Sequence, residues 1–96
     1  MELAKKSYVE SYVNSRMIYV DTGGVGTGTY TYPELGGAKV AILLLRDNDN
    51  RANYSILTPS SYQVTDYFTI TFGSGNQIVI GNLYGTLKLY ELLIFK

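Results

Sequence analysis

The sequence predicts a mainly β protein: a short N-terminal helix followed by a small, jelly-roll-like antiparallel β-sandwich of about eight strands. Three observations lead to this fold class. Apolar and polar residues alternate with a period of two through most of the chain, which is typical of half-buried strands. Turn-forming clusters of Gly, Pro, Asn and Asp interrupt the alternation at intervals of roughly 8–12 residues, as in sandwiches and barrels. The first stretch instead repeats its apolar residues at helical spacing.

The N-terminal segment, residues 1–15, carries the helical pattern. Two Tyr-Val pairs, Tyr8-Val9 and Tyr12-Val13, stand four residues apart, so that Tyr follows Tyr along one helix face. A strand is the alternative, because the same residues also have high β-propensity. A helix of this length is marginal in water without a partner. We therefore expect its apolar face to be an oligomer interface, formed by Leu3, Tyr8, Val9, Tyr12 and Val13.

Residues 16–96 are expected to form one β domain, and its first three strands have different patterns. Residues 17–20 are a short apolar strand that ends at a polar and glycine-rich stretch. Residues 27–32 alternate Thr and Tyr and stop at Pro33, which cannot donate to a sheet ladder. Residues 38–46 are apolar on both faces, which predicts a central strand covered on both sides.

Five more strands are predicted after the turn-forming residues Asp47–Asn50. Their predicted ranges are 54–58, 62–64, 67–72, 77–80 and 84–95. The strand over 67–72 alternates cleanly, with Phe68, Ile70 and Phe72 expected to face inward. A glycine-rich turn over 73–76 then predicts a hairpin.

Composition excludes several classes of function. The 96 residues include eight Lys and Arg against eight Asp and Glu, so the formal net charge is zero. We therefore expect no nucleic-acid partner and no binding to an anionic membrane. The absence of His and Cys removes the imidazole base and the usual transition-metal ligands. No apolar run approaches the roughly 20 residues of a membrane span. We expect a non-enzymatic domain with no cofactor, no metal and no membrane insertion.

The glycines between Gly23 and Gly28 resemble a phosphate-binding loop only superficially. A dinucleotide fingerprint needs a third Gly at the right spacing and a helix after it, and here a β pattern follows. A P-loop needs Lys after its last Gly, whereas Thr29 and Tyr30 follow Gly28. We interpret this stretch as a flexible hairpin connection.

The segment Asp47–Asn50 begins like a calcium-binding loop. Ala52 occupies the sixth position, where an EF-hand needs Gly, and Thr58 occupies the twelfth, where it needs Glu. The pattern excludes an EF-hand. It favours a tight turn between two strands, with a looser oxygen-rich calcium site as the alternative.

Glu91 is the one carboxylate inside an otherwise apolar strand. Strict alternation would place it on the same face as four apolar residues, Leu87, Leu89, Leu93 and Phe95. The favoured interpretations are an edge position that opposes aggregation, or a salt bridge to a neighbouring chain. The alternative is catalysis by a carboxylate pair, for which the other acids are Glu34, Asp47, Asp49 and Asp66.

Tyrosine is the most informative residue type in this chain. There are ten Tyr, against three Phe and no Trp. Tyr provides a large contact area and a hydroxyl at low entropic cost, which favours an extensive interface. The candidate receptor-binding or glycan-binding residues are Tyr30, Tyr32, Asp47, Asn48, Asp49, Asn50 and Tyr54.

Two stretches resemble fibre and other appendage proteins of tailed bacteriophages. Residues 4–10, AKKSYVE, are similar to the A-x-K-x-Y-V-D segment that leads into a fibre domain, and residues 85–92, GTLKLYEL, are similar to the closing strand of small terminal sandwich domains. The resemblance implies a homotrimer with a stalk of N-terminal helices and a β-sandwich head. It also implies a virion protein whose head loops bind a bacterial surface glycan or protein.

A second hypothesis is a monomeric carbohydrate-binding module. It would use Tyr30, Tyr32 and the Asp47–Asn50 loop. Sugar-stacking modules usually present Trp as well, and the absence of Trp weakens this alternative.

Overall fold

Two four-stranded antiparallel sheets make up the part of the chain that the computed structural model describes, residues 17–96. This confirms the mainly β, two-sheet fold class. The predicted N-terminal helix and its interface residues lie outside the described residues. The strands are β1 Met17–Val25, β2 Gly28–Thr31, β3 Val40–Arg46, β4 Ala52–Leu57, β5 Tyr62–Val64, β6 Phe68–Gly73, β7 Gln77–Leu83 and β8 Lys88–Phe95, with one 3-10 turn at Pro33–Leu35.

The chain moves between the two sheets in a regular way. Sheet A has the strand order β1-β8-β3-β4, and sheet B has the order β2-β7-β6-β5. Connections cross from one sheet to the other at β1–β2, β2–β3, β4–β5 and β7–β8. Hairpins within a sheet join β3 to β4, β5 to β6 and β6 to β7. Strands β5, β6 and β7 therefore form a meander within sheet B, and β3 and β4 form a single hairpin within sheet A.

Every second side chain along each strand points into the space between the two sheets and helps to fill it. Phe68, Ile70 and Phe72 are buried as predicted, and the threonines between them face outward. Sheet A contributes buried side chains from β3 and β8, because its inward positions are aliphatic. The one buried polar side chain among residues 17–96 is Ser55, whose hydroxyl donates to Oε1 of Gln63 across the two sheets at 2.6 Å.

A β-bulge in β8 changes which of its residues share a face. Glu91 pairs with Leu44 and Leu89 pairs with Leu45, so Tyr90 has no partner on β3. Leu87 and Leu89 therefore point into the core, whereas Glu91, Leu93 and Phe95 lie on the outer face. The prediction that all four leucine and phenylalanine positions share a face with Glu91 was wrong, because sequence alternation does not reveal a bulge.

The position of Glu91 also differs from the prediction. Strand β8 lies between β1 and β3, so Glu91 is not on an edge strand. Its Oε1 accepts from Nη2 of Arg46 on β3 at 2.9 Å, within the same chain rather than across to another. The side chains of both residues are about one-third exposed.

The glycine-rich stretch is not a hairpin connection. Gly23 and Gly24 belong to β1, with φ angles of 73° and 83°, inside a second irregularity between Asp21 and Val25. The residues after Val25 carry the chain from sheet A to sheet B. Gly24 lies so close to the Tyr90 ring that a Cβ would come within 2.8 Å of it, which explains the glycine there.

Strand β3 is central, as predicted, but it is covered on one side only by the described residues. Ala41, Leu43 and Leu45 are buried against sheet B. The intervening Ile42 and Leu44 are half-buried, because no element within residues 17–96 forms a third layer over sheet A. The expectation that both faces of this strand are covered is thus not met within the described part of the chain.

Neighbouring residues of β6 face opposite sides of sheet B, with Ile70 in the core and Thr71 on the outer face, and this difference gives a direct test of the fold. We expect Ile70→Ala to lower the free energy of unfolding by about 2–5 kcal/mol, because it leaves a cavity between the sheets. Thr71→Ala removes a side chain from the outer face and is expected to cost less than about 1 kcal/mol. Urea unfolding of both variants measures the difference. Equal losses of stability would contradict the assigned faces of β6.

Candidate functional site

The sandwich has two ends with different loops. At the proximal end, β1 begins at Met17 and β8 ends at Phe95 beside it. The distal end carries the connections that leave β1, β3, β5 and β7, which are residues 26–27, 47–51, 65–67 and 84–87. Because the described chain starts at the proximal end, the distal loops face away from the N-terminal segment's point of attachment.

An open cleft of about 300 Å³ lies among the distal loops. Its most exposed aromatic residues are Tyr67 and Tyr84, which are 54% and 69% exposed. Their rings meet edge to face, with centroids 6.0 Å apart and planes at 82°. Five further residues line the cleft, namely Asp47, Arg51, Ala52, Asn53 and Leu87.

Local hydrogen bonds hold the two tyrosines in place. The hydroxyl oxygen of Thr65 accepts from the backbone N–H groups of Tyr67 and Phe68, at 3.1 and 3.0 Å, and so fixes the turn that begins β6. The N–H of Tyr84 donates to the carbonyl of Tyr67 at 2.8 Å. Residues 84–87 form a turn, not the start of β8 as predicted, and Gly85 there has a φ of 60°.

The Asp47–Asn50 segment is a closed turn, as predicted. Oδ1 of Asp47 accepts from the N–H groups of Asp49 and Arg51, at 3.0 and 2.9 Å. Its Oδ2 accepts from Nε of Arg51 at 2.9 Å, and Arg51 also pairs with Asp49. The Asn48 N–H donates to Oγ1 of Thr86, which joins this turn to the β7–β8 turn. The carboxylates of Asp47 and Asp49 therefore accept hydrogen bonds from donors within their own loop.

Hydrogen bonds to its carboxylate lower the pKa of Asp47. The bond from the Arg51 N–H, followed by the guanidinium of the same residue, lowers the pKa of Asp47 from its ordinary value of 3.8, and this outweighs the opposing effect of partial burial. Asp47 is therefore a carboxylate at neutral pH. No group of three or more acidic residues within residues 17–96 could hold a metal ion.

The structure does not bring all the predicted binding residues together. Tyr30 and Tyr32 stack on each other at 6.5 Å beside the core of sheet B. The Tyr30 hydroxyl donates to the carbonyl of Gly26, and the Tyr32 N–H donates to the carbonyl of Asn76 at the proximal end. The Asp47–Asn50 turn is distal, and Tyr54 lies on the outer face of sheet A.

The residues that sequence reasoning missed are Tyr67 and Tyr84. Both stand at turns next to strands, one before β6 and one after β7. That position was visible in the sequence, but their contact was not, because the predicted strand ended at residue 80, whereas β7 continues to Leu83, opposite Phe68. The cleft that they form with Asp47, Arg51 and Asn53 combines aromatic faces with amide, carboxylate and guanidinium groups, which suits a polar ligand with apolar faces such as a sugar.

Comparisons with protein-family models, with curated proteins and with solved structures found no match to this chain. In the part of the chain that is described, no helix has the length and apolarity needed to cross a membrane.

The Asp47 turn predicts an acid-dependent loss of stability. Because folding lowers the pKa of Asp47, its stabilising contribution is complete above 3.8 and falls as the pH drops through the lower pKa of the folded state. We expect Asp47→Asn to lower stability at pH 7 and to flatten this part of the pH profile. Urea unfolding of both proteins between pH 7 and pH 2 tests it. Parallel profiles for the two proteins would contradict the role of this carboxylate.

Proposed function

We propose that this chain is a non-enzymatic structural domain of a tailed-bacteriophage fibre or related virion appendage, which trimerises and presents its distal loops to a bacterial surface. The observation that carries the proposal is the opposite placement of its two ends. The N-terminal segment joins the sandwich at Met17, and the tyrosine-lined cleft lies at the other end. This is the polarity needed by a head domain on a stalk.

The stalk in this proposal consists of residues 1–15. Their helical pattern and their resemblance to the segment that leads into phage fibre domains support it. The interface residues would be the apolar stripe of that helix, and three copies would shield it from water. The head is the sandwich of residues 16–96, for which the finer description is jelly-roll-like.

The distal cleft is the proposed contact with the host. Tyr67 and Tyr84 offer two aromatic surfaces at right angles, and Asn53 and Arg51 offer planar hydrogen-bonding groups beside them. Such a set recognises the ring faces and hydroxyls of a sugar, or a flat polar protein surface. The partners are therefore other copies of this chain and a bacterial surface glycan or protein. No cofactor takes part, and the protein works in the virion outside the cell.

The alternative function is a monomeric carbohydrate-binding module. The same tyrosine pair in the cleft favours it, since this pair needs no second copy to form. The two functions differ in the oligomeric state of the chain and agree on where a sugar binds.

The trimer is tested by the mass of the full chain in solution. We expect light scattering at micromolar concentration to give three times the chain mass. Val9→Glu should shift the protein toward the monomer, because it would place a charge in the apolar stripe of the predicted helix. Glu10→Gln, on the polar side of the predicted helix, is the control and should leave the mass unchanged. A wild-type protein that stays monomeric would contradict the fibre proposal and favour the module.

Ligand binding is tested by substitution in the cleft. We expect Tyr84→Ala to weaken binding of a surface glycan by about tenfold or more, given the usual effect of losing an aromatic contact in a binding site. Tyr62→Ala is the matched control, because Tyr62 is 71% exposed on β5, away from the cleft. Glycan arrays of bacterial polysaccharides, with and without calcium, give the measurement. Binding that persists in Tyr84→Ala would place the receptor site elsewhere, and binding that needs calcium would contradict the closed Asp47 turn.

A further inference from the structure

The outer face of sheet A is apolar in its proximal half. Strand pairing arranges its side chains in rows across β1, β8, β3 and β4. The most proximal row consists of Met17, Phe95 and Val40, and the next consists of Tyr19, Leu93, Ile42 and Ile56. All of these side chains are at least partly exposed, and Ile56 and Tyr19 are 66% and 54% exposed.

Charged residues appear only toward the distal half of this face. The third row is Asp21, Glu91, Leu44 and Tyr54, and beyond it lie Lys88 and Arg46. The Arg46–Glu91 ion pair neutralises two of these charges, and the Arg46 guanidinium also stacks on the Tyr90 ring at 5.1 Å. Nε of Arg46 is buried and has no hydrogen-bond partner among the described residues. A nearly neutral face of this kind does not repel a copy of itself.

The outer face of sheet B has an ordinary solvent-exposed composition and provides an internal comparison. Its residues, read from the strand pairing, are mostly Thr with polar amides: Thr29, Thr31, Thr69, Thr71, Gln77 and Asn82, with Val79, Tyr62 and Val64. Both sheets belong to one small domain with one interior. The aliphatic outer face of sheet A is therefore not explained by β-propensity, which Thr satisfies equally well on sheet B.

The apolar rows cover about half of this outer face. Four strands about 4.8 Å apart and about four residues long span on the order of 200 Å². A stable complex buries roughly 800 Å² per partner, so an interface that includes these rows needs the N-terminal segment as well.

We propose that the outer face of sheet A packs against a second copy of this chain, so that the sandwiches themselves contact each other beside the stalk. This inference rests on the proposed self-association and identifies the surface of the head that takes part in it. The apolar rows begin at Met17, where the predicted stalk segment joins the sheet, so an interface formed by the stalk would adjoin this face. Self-association through the stalk would then bring the proximal rows of neighbouring copies together.

Two edge-strand residues make a matched pair for the test. Ile56 on β4 and Val64 on β5 are both β-branched, are 66% and 64% exposed, and lie on the outer faces of sheet A and sheet B, respectively. In the full chain, we expect Ile56→Lys to lower the association constant by at least about tenfold, since it puts a charge into the apolar rows. Val64→Lys should leave it unchanged. Sedimentation or light scattering over a concentration series gives the constants, and thermal unfolding shows that both variants fold.

The sequence contains no Cys, which allows a second readout. Single variants Ile56→Cys and Val64→Cys can be treated with a short bismaleimide, and only Ile56→Cys is expected to give covalently linked chains.

The outcomes of the Lys variants separate the two proposals. If the wild type is oligomeric and both Lys variants associate as strongly as the wild type, this inference is overturned and the stalk-based trimer remains. A monomeric wild type would overturn both proposals. A monomeric wild type that Ile56→Lys alone destabilises would assign the face to residues 1–16 of the same chain.

Discussion

A two-layer sandwich has one interior, and each strand can place only every second side chain into it. In this domain that interior is filled by aliphatic and phenylalanine side chains from both sheets, with β8 central to sheet A and β6 and β7 central to sheet B. The other side chains of each strand lie on an outer face, and strand pairing places most of the outward apolar residues on sheet A.

The bulge at Tyr90 separates this apolar region from the distal loops. It places Tyr90 and Glu91 together on the outer face, where they contact Arg46, and it returns Leu89 to the core. The bulge at Tyr90 lies opposite the glycines of β1. Gly24 has no side chain, which leaves room for the Tyr90 ring. One extra residue in β8 therefore determines where the aliphatic rows end. Beyond it the molecule is polar and presents the cleft of Tyr67 and Tyr84.

The sequence predicted most of the strands and the β6–β7 hairpin, but not the pairing of strands that are distant along the chain. Alternation identified the inward residues of β6, and β5 was predicted with the bounds Tyr62–Val64 that the structure shows. The bulge was hidden, because two adjacent residues on one face look like any other pair in the sequence. The cleft was not predicted either, because Tyr84 was assigned to the last strand, whereas it follows a longer β7 and meets Tyr67 at the end of the β6–β7 pair. The Asp47 turn was predicted correctly because its hydrogen bonds are local.

We expect the outer face of sheet A to become covered when copies of the chain associate. Methyl NMR of the unmodified protein with a soluble paramagnetic probe tests it directly, because the probe broadens only methyl groups that solvent reaches. The Ile56 and Val64 methyls are about equally exposed in a single chain. The Ile56 methyls should become protected from the probe as the protein concentration increases, while the Val64 methyls should stay accessible. Equal broadening of both at every concentration would contradict it.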